Sequence, residues 1–134
     1  MPYLVVATVA AFNLVCTGTH AQQFAGTPMG EPKARSTTYR VHAAAKRFCT
    51  DDCKEFAPIA SVTDEKIIFT DLKLERPMAR LHFAYKRDTR RMNITSTVGA
   101  MRHEMQMTCT EAPFSGIPDE ATPVGGTISP KVGD

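Results

Sequence analysis

Sulfur- and nitrogen-bearing side chains alternate along one short stretch in the second half of the chain. They occupy every second position from residue 101 to residue 109: Met101, His103, Met105, Met107 and Cys109. On a β-strand, residues two apart project from the same face. Thioethers and imidazoles are ligands that suit copper, particularly Cu(I). The spacing therefore predicts a candidate copper site formed by His103, Met105 and Met107.

A buried strand face explains the same stripe without a metal. The residues that alternate with the stripe are all polar: Arg102, Glu104, Gln106 and Thr108. Methionine commonly fills irregular gaps in apolar cores. His103-Glu104-Met105 resembles the His-x-Met element of periplasmic copper chaperones, but the upstream His and Met of those proteins have no counterpart at the expected spacing. We therefore expect no cofactor and keep copper as the alternative.

A second candidate surface is basic. Four cations cluster around one polar turn: Lys86, Arg87, Arg90 and Arg91. Such a cluster attracts anionic partners, for example an anionic component of the cell envelope or an acidic envelope protein. The alternative is a solvated turn whose charges keep a sheet edge soluble. Nucleic acid is not an expected partner, because the net charge is only +2 and no aromatic side chains interleave with the cations to stack on bases.

No catalytic motif accompanies these clusters. The sequence has no Gly-rich phosphate loop, no His-Glu-x-x-His pair and no Gly-x-Ser-x-Gly elbow. The spacing of Cys49 and Cys53 differs from the two-residue spacing of thioredoxin-like redox sites. We therefore predict a non-enzymatic protein with no catalytic residues.

The elements that must position these residues are strands. Apolar and polar residues alternate along 81–86, 92–98 and 101–110, with polar residues 86–90 and Gly99 between them. Residues 37–41, 59–62 and 66–69 are rich in β-branched and apolar side chains. The pattern predicts a mainly β fold, a small antiparallel meander of five to six strands forming a barrel or sandwich, with disordered ends.

The first 21 residues predict export. An apolar run from Leu4 to Val15 is followed by Thr19 and Ala21, small residues that suit positions −3 and −1 of a signal cleavage site. The run is too short for the roughly 20 residues of a membrane-spanning helix. We expect a cleaved signal peptide over 1–21, a flexible linker over 22–35, a β domain over 36–118 and a disordered tail over 119–134. The product is expected in the periplasm or outside the cell and not to span the membrane.

Export allows disulfides to form. Cleavage after residue 21 would remove Cys16 and leave Cys49, Cys53 and Cys109 as candidates for one bridge and one odd thiol. A long bridge to Cys109 restricts the unfolded chain more than the short Cys49–Cys53 loop does. We favour the long bridge on this ground, although spacing alone does not determine connectivity.

One wider resemblance involves both cysteine regions. Residues 47–53, with the Cys49-x-x-x-Cys53 pair, and residues 108–118, from Thr-Cys-Thr-Glu to Ala-Pro-Phe-Ser-Gly-Ile-Pro, resemble a group of small exported proteins of Gram-negative bacteria. Members of that group have glycine where this chain has Arg90. Because glycine alone adopts positive φ freely, Arg90 argues against a tight left-handed turn at this position. The resemblance implies export and a β fold and no particular activity. Together with the patterns above, it predicts an exported cell-envelope protein that acts as a small binding or interaction module.

Overall fold

The computed structural model describes residues 10–75 and 78–124. This part of the chain is built from β-strands and contains no helix. It therefore has no helical segment that could cross a membrane. The strands are β1 (Ala11–Phe24), β2 (Thr27–Pro28), β3 (Lys33–His42), β4 (Arg47–Thr50), β5 (Glu55–Pro58), β6 (Ser61–Val62), β7 (Lys66–Glu75), β8 (Met78–Lys86), β9 (Arg91–Val98), β10 (Met101–Ala112) and β11 (Thr122–Pro123).

All the strands belong to one sheet. Its order is β11-β5-β4-β3-β1-β10-β9-β8-β7-β6, with β2 paired to β1, and every pairing except that of β11 with β5 is antiparallel. The prediction of a mainly β, antiparallel fold is confirmed. The predicted count of five to six strands is wrong, because β1 lies mostly within the segment assigned to a signal peptide and several strands are only two to four residues long.

The sheet is strongly curled into a half-barrel. Strands β5 and β6 lie near opposite ends of the strand order, yet only Ile59 and Ala60 separate them in sequence. The Ile59 N–H donates to the Lys46 carbonyl oxygen at 2.9 Å, and the Ala60 N–H donates to the Phe69 carbonyl oxygen at 3.1 Å. This short connection brings the two sides of the sheet together and forces the curl.

The core fills the concave side of this curl. Four aromatic rings from four strands meet there: Tyr39, Phe48, Phe69 and Phe83. The closest pairs are Phe69–Phe83, with ring centroids 4.5 Å apart, and Phe48–Phe69, at 4.7 Å. We call the face of the sheet that carries these rings the inner face. Buried Leu14, Cys16, Met107 and Cys109 extend the core along β1 and β10.

Strand β1 runs through the segment in which the sequence predicted a signal peptide and its cleavage site. Its residues pair with β3 along Ala11 to His20 and with β10 along Asn13 to Phe24. The apolar residues that suggested a signal are therefore, from residue 11 onward, part of the central strand, and Leu14 is fully buried. A cut after Ala21 would remove most of this strand and separate β3 from β10. Residues 1–9 lie outside the described part.

The expected linker and tail are also partly structured. Residues 22–35 contain the end of β1, all of β2 and the start of β3 rather than a flexible linker. Within the expected tail, β11 pairs with β5, and residues 125–134 lie outside the described part. Residues 113–118, which precede the expected tail, lie back over the outer face of the sheet. There the Arg40 guanidinium donates to the Gly116 carbonyl oxygen at 2.9 Å, and Phe114 packs edge-on against His42.

The four cysteines form two disulfides, Cys16–Cys109 and Cys49–Cys53, and none is free. The expected long bridge from Cys49 or Cys53 to Cys109 and the expected odd thiol are both wrong for this chain, because Cys109 is bonded to Cys16 and Cys49 to Cys53. Cys16 lies directly opposite Cys109. The Cys109 N–H points away from β1, donating to the Arg90 carbonyl oxygen at 2.8 Å. The cysteines thus form a non-hydrogen-bonded pair, in which facing side chains are closest.

Two backbone positions, Arg90 and Gly18, have unusual conformational or steric requirements. Arg90 adopts a left-handed conformation with φ 61°, so the expectation that a non-glycine residue would prevent such a turn is wrong. In β1, Gly18 faces Met107 across the pair with β10. A Cβ atom added at Gly18 would overlap the Gln106 carbonyl oxygen and lie 2.6 Å from the Met107 Cα. The absence of a side chain at Gly18 therefore allows β10 to approach β1.

We expect the Cys16–Cys109 disulfide to stabilise the fold more than the Cys49–Cys53 disulfide. The two bridges span 93 and 4 residues, for which chain entropy predicts about 4.7 and about 2 kcal/mol. Urea unfolding of the double variants Cys16→Ala/Cys109→Ala and Cys49→Ala/Cys53→Ala measures both losses. A larger loss in the second variant would contradict the central role of β1.

We expect Gly18→Ala to destabilise the protein by about 1–3 kcal/mol, because the added methyl meets backbone atoms that cannot rotate away. Thr17→Ala is the matched control, since Thr17 is the exposed neighbour on the other face of the same strand. Thermal and urea unfolding of both variants check the effect. Equal stability of the two variants would show that β10 does not approach β1 as closely as the structure has it.

Candidate functional site

The long strands continue past the core at one end of the half-barrel, where their inner face is open. The strand registers define two rows of inner-face residues there. The row nearer the core contains Gln22, His103, Ser96, Leu81 and Leu72. The terminal row contains Phe24, Met101, Val98, Ala79 and Leu74. We call these ten residues the open-end face.

A β-bulge in β7 brings two leucines to this face. Ile67 and Phe69 are inner-face core residues at the start of β7, but the register with β8 shifts between Ile68 and Thr70. Because side chains alternate with period two, a one-residue shift changes which residues face inward. Beyond the bulge, Leu72 and Leu74 therefore face inward, and Asp71 and Lys73 face outward.

Seven of the ten residues of the open-end face are apolar, and four of these seven are about half exposed. The exposed fractions are 54% for Phe24, 53% for Val98, 46% for Leu74 and 47% for Leu72. The alternating residues on the outer face of the same strand ends are polar, except Ala21: Gln23, Arg102, Thr97, Arg80, Lys73, Glu104, Thr95, His82 and Asp71. A sheet usually buries its apolar face. At this end the apolar face has nothing over it within the described part of the chain.

His103 of the open-end face meets His20, which lies one row nearer the core. The His20 Nε2 and His103 Nδ1 atoms are 3.2 Å apart, and the rings are stacked with centroids 5.4 Å apart. The Gln22 side-chain amide nitrogen lies 3.3 Å from the same His103 Nδ1. An unprotonated His103 Nδ1 can accept hydrogen bonds from both neighbours. His20, Gln22 and His103 therefore form one connected polar cluster at the open end.

Cations from β3 lie next to the histidines. Lys33 faces His20 across the β1–β3 pair, and Arg35 faces Gly18 one step nearer the core. Both side chains are exposed. A cleft of about 260 Å³ runs between His20, Lys33 and Arg35, and Glu31 lines it as well. With neutral histidines, these side chains give the cleft a net charge of +1.

The pKa of His20 is lowered from its ordinary value of 6.5, first by partial burial and then by the positive charges of protonated His103, Arg35 and Lys33. The lowered pKa favours the neutral form of His20, whose ring can both donate and accept a hydrogen bond. Protonation would add a third cation to the Lys33–Arg35 cleft.

The predicted copper ligands lie in three successive rows along the inner face of β10. Met107 is only 3% exposed and lies opposite Met92 inside the core, whereas His103 and Met105 are partly exposed near the open end. His103 meets His20 instead of Met107. In residues 10–75 and 78–124, no group of three or more His, Cys, Asp or Glu side chains is arranged to hold a metal ion. The Lys33 and Arg35 charges would also repel a cation.

The predicted anion-binding surface lies at the other end of the half-barrel. Lys86, Arg90 and Arg91 are exposed on the β8–β9 hairpin. Arg87 is occupied, because its guanidinium donates to both Glu111 carboxylate oxygens at 3.1 and 3.2 Å and lies 4.9 Å from the Phe12 ring centroid. Of the four predicted cations, Arg87 is paired with Glu111, and Lys86, Arg90 and Arg91 are exposed.

Several residues of the open-end face and of the cleft next to it were not predicted from the sequence. Phe24, Lys33 and Arg35 fell within the expected linker, and His20 fell within the expected signal peptide. Leu72 and Leu74 lie beyond the strand predicted over 66–69. The sequence does contain a pattern that could have identified these leucines. The alternating apolar residues are at odd positions in Ile67 and Phe69 and at even positions in Leu72 and Leu74.

Comparison with known proteins identifies no relatives. No protein-family model matches the chain, and no curated protein or solved structure is significantly similar to it.

We expect the stability of the protein to fall below about pH 6.5, partly through His20. Since the pKa of His20 is lower in the folded state, the unfolded chain binds more protons below that pH, and the free energy of unfolding decreases. His20→Gln should reduce this decrease. Urea unfolding of both proteins at about pH 7.5 and about pH 5 tests it; identical pH dependence would show that His20 makes no contribution.

Proposed function

We propose that this chain is a non-enzymatic binding module of the cell envelope, working in the periplasm or outside the cell, and that its ligand lies on the open-end face. The two disulfides support the compartment, because such bonds form and persist in oxidising surroundings. In the proposal the ligand is a component of the envelope.

The exposed apolar rows carry the proposal. Phe24, Val98 and Leu74 lie on one face and are each about half exposed. Isolated exposed apolar residues are common, but contiguous apolar patches on a small domain often mark binding sites. The strand ends are also rigid, because each of β10, β9 and β8 pairs with a neighbour on both sides.

The polar groups around the open-end face suit recognition. His20, His103 and Gln22 contact one another and border the apolar rows. Ligand sites commonly combine an apolar surface with a few placed polar groups. At this end of the sheet, these polar groups lie on β1 and β10, and Leu72, Leu74 and Leu81 lie on β7 and β8.

We expect Leu74→Glu to weaken binding of the neutral fluorescent dye Nile red roughly tenfold, because a carboxylate does not tolerate burial under an apolar ligand. Val15→Glu is the matched control, since Val15 is 44% exposed on the outer face of β1 and Leu74 is 46% exposed. Fluorescence titration measures binding, and circular dichroism checks that both variants fold.

Equal weakening by the two variants would place the dye elsewhere. No detectable dye binding to the unmodified protein would remove the support for a ligand on the open-end face.

A further inference from the structure

We propose that the ligand of the open-end face is a monomeric anionic amphiphile, with its headgroup held by Lys33 and Arg35 and its apolar chain lying across the strands towards Leu72 and Leu74. This inference depends on the proposed function and specifies the chemical class of the ligand. It rests on the size of the apolar face and on the distribution of charge next to it.

The area of the face favours a small ligand over a second copy of the chain. The two rows cross five strands, so they span about 19 Å across the sheet and about 14 Å along it, roughly 250–300 Å² in all. A stable protein–protein interface covers about 800 Å² on each partner. The open-end face is too small for that, but its elongated shape suits an extended apolar chain.

In the inner-face rows at and next to the open end, charge is confined to one side. Moving one row towards the core, the register joins Lys33, His20, Met105, Ile94, Phe83 and Thr70, and the next row joins Arg35, Gly18, Met107, Met92, Tyr85 and Ile67. In these rows and the open-end face, Lys33 and Arg35 are the charged residues, and both lie on β3. An amphiphile with one anionic end and one apolar end matches this division.

The histidines add directional contacts at the boundary between the two regions. His20 lies directly between Lys33 and Met105 in its row, and His103 lies between Gln22 and Ser96 in the next. Glu31 lines the same cleft as Lys33 and Arg35. A carboxylate or phosphate bound there would accept charge-assisted hydrogen bonds from the two β3 side chains, and its own negative charge would be repelled by Glu31.

Two probes with the same alkyl chain test the inference: dodecyl phosphate and the neutral dodecyl maltoside, each below its critical micelle concentration. We expect the unmodified protein to bind the phosphate about tenfold more tightly than the maltoside. The variant Lys33→Gln/Arg35→Gln should lose that preference. Lys73→Gln is the control, because Lys73 is exposed on the outer face of the same end of the sheet. It should keep the preference.

The outcomes separate this inference from the proposed function. Equal binding of both probes, weakened by Leu74→Glu, would overturn the anionic ligand while leaving a ligand site on the open-end face. Binding of neither probe, together with Nile red binding that Leu74→Glu weakens, would have the same meaning. Association with anionic vesicles but not with monomeric dodecyl phosphate would overturn the inference in favour of a membrane surface.

Discussion

The pairing of β1 on both of its edges is the constraint on which the rest of the structure depends. Strands β3 to β5 form one side of the sheet and β6 to β10 the other, and β1 is the strand between β3 and β10. Its inner-face residues Phe12, Leu14 and Cys16 are buried, and Cys16 is bonded to Cys109 on β10. Gly18 lets the backbones approach further along. The two sides of the sheet therefore share one core.

The same strand connects the core to the open end. Beyond Gly18, β1 continues to Phe24, and the strands beside it extend with it past the last buried side chains. Hydrogen bonding between strands does not require a filled core, so the extension keeps its regular pairing. Its apolar inner face is nevertheless left in water, an arrangement that a ligand would relieve. The fold thus separates a part that provides stability from a part suited to binding.

Much of the secondary structure was predictable. The alternation in residues 81–86, 92–98 and 101–110 corresponds to β8, β9 and β10, and Met107 and Cys109 are on the buried face as the polar partners of the stripe suggested. The candidate site was predictable only in part. His103 was singled out, but its partner His20 lies 83 residues away, and no local pattern joins residues that far apart. The two-residue strands lack the length to show a period.

The sequence by itself determined the β character of the chain and the faces of its best-patterned strands, because side-chain alternation is a local property. It also contained the change in alternation along β7, where the inward-facing apolar residues move from odd to even positions between Phe69 and Leu72. Only the tertiary structure shows that residues 11–24 form a central strand, since a short apolar run suits a signal and a buried strand equally well. It likewise decided the disulfide pairing and the position of Lys33 beside His20, because both follow from long-range strand register.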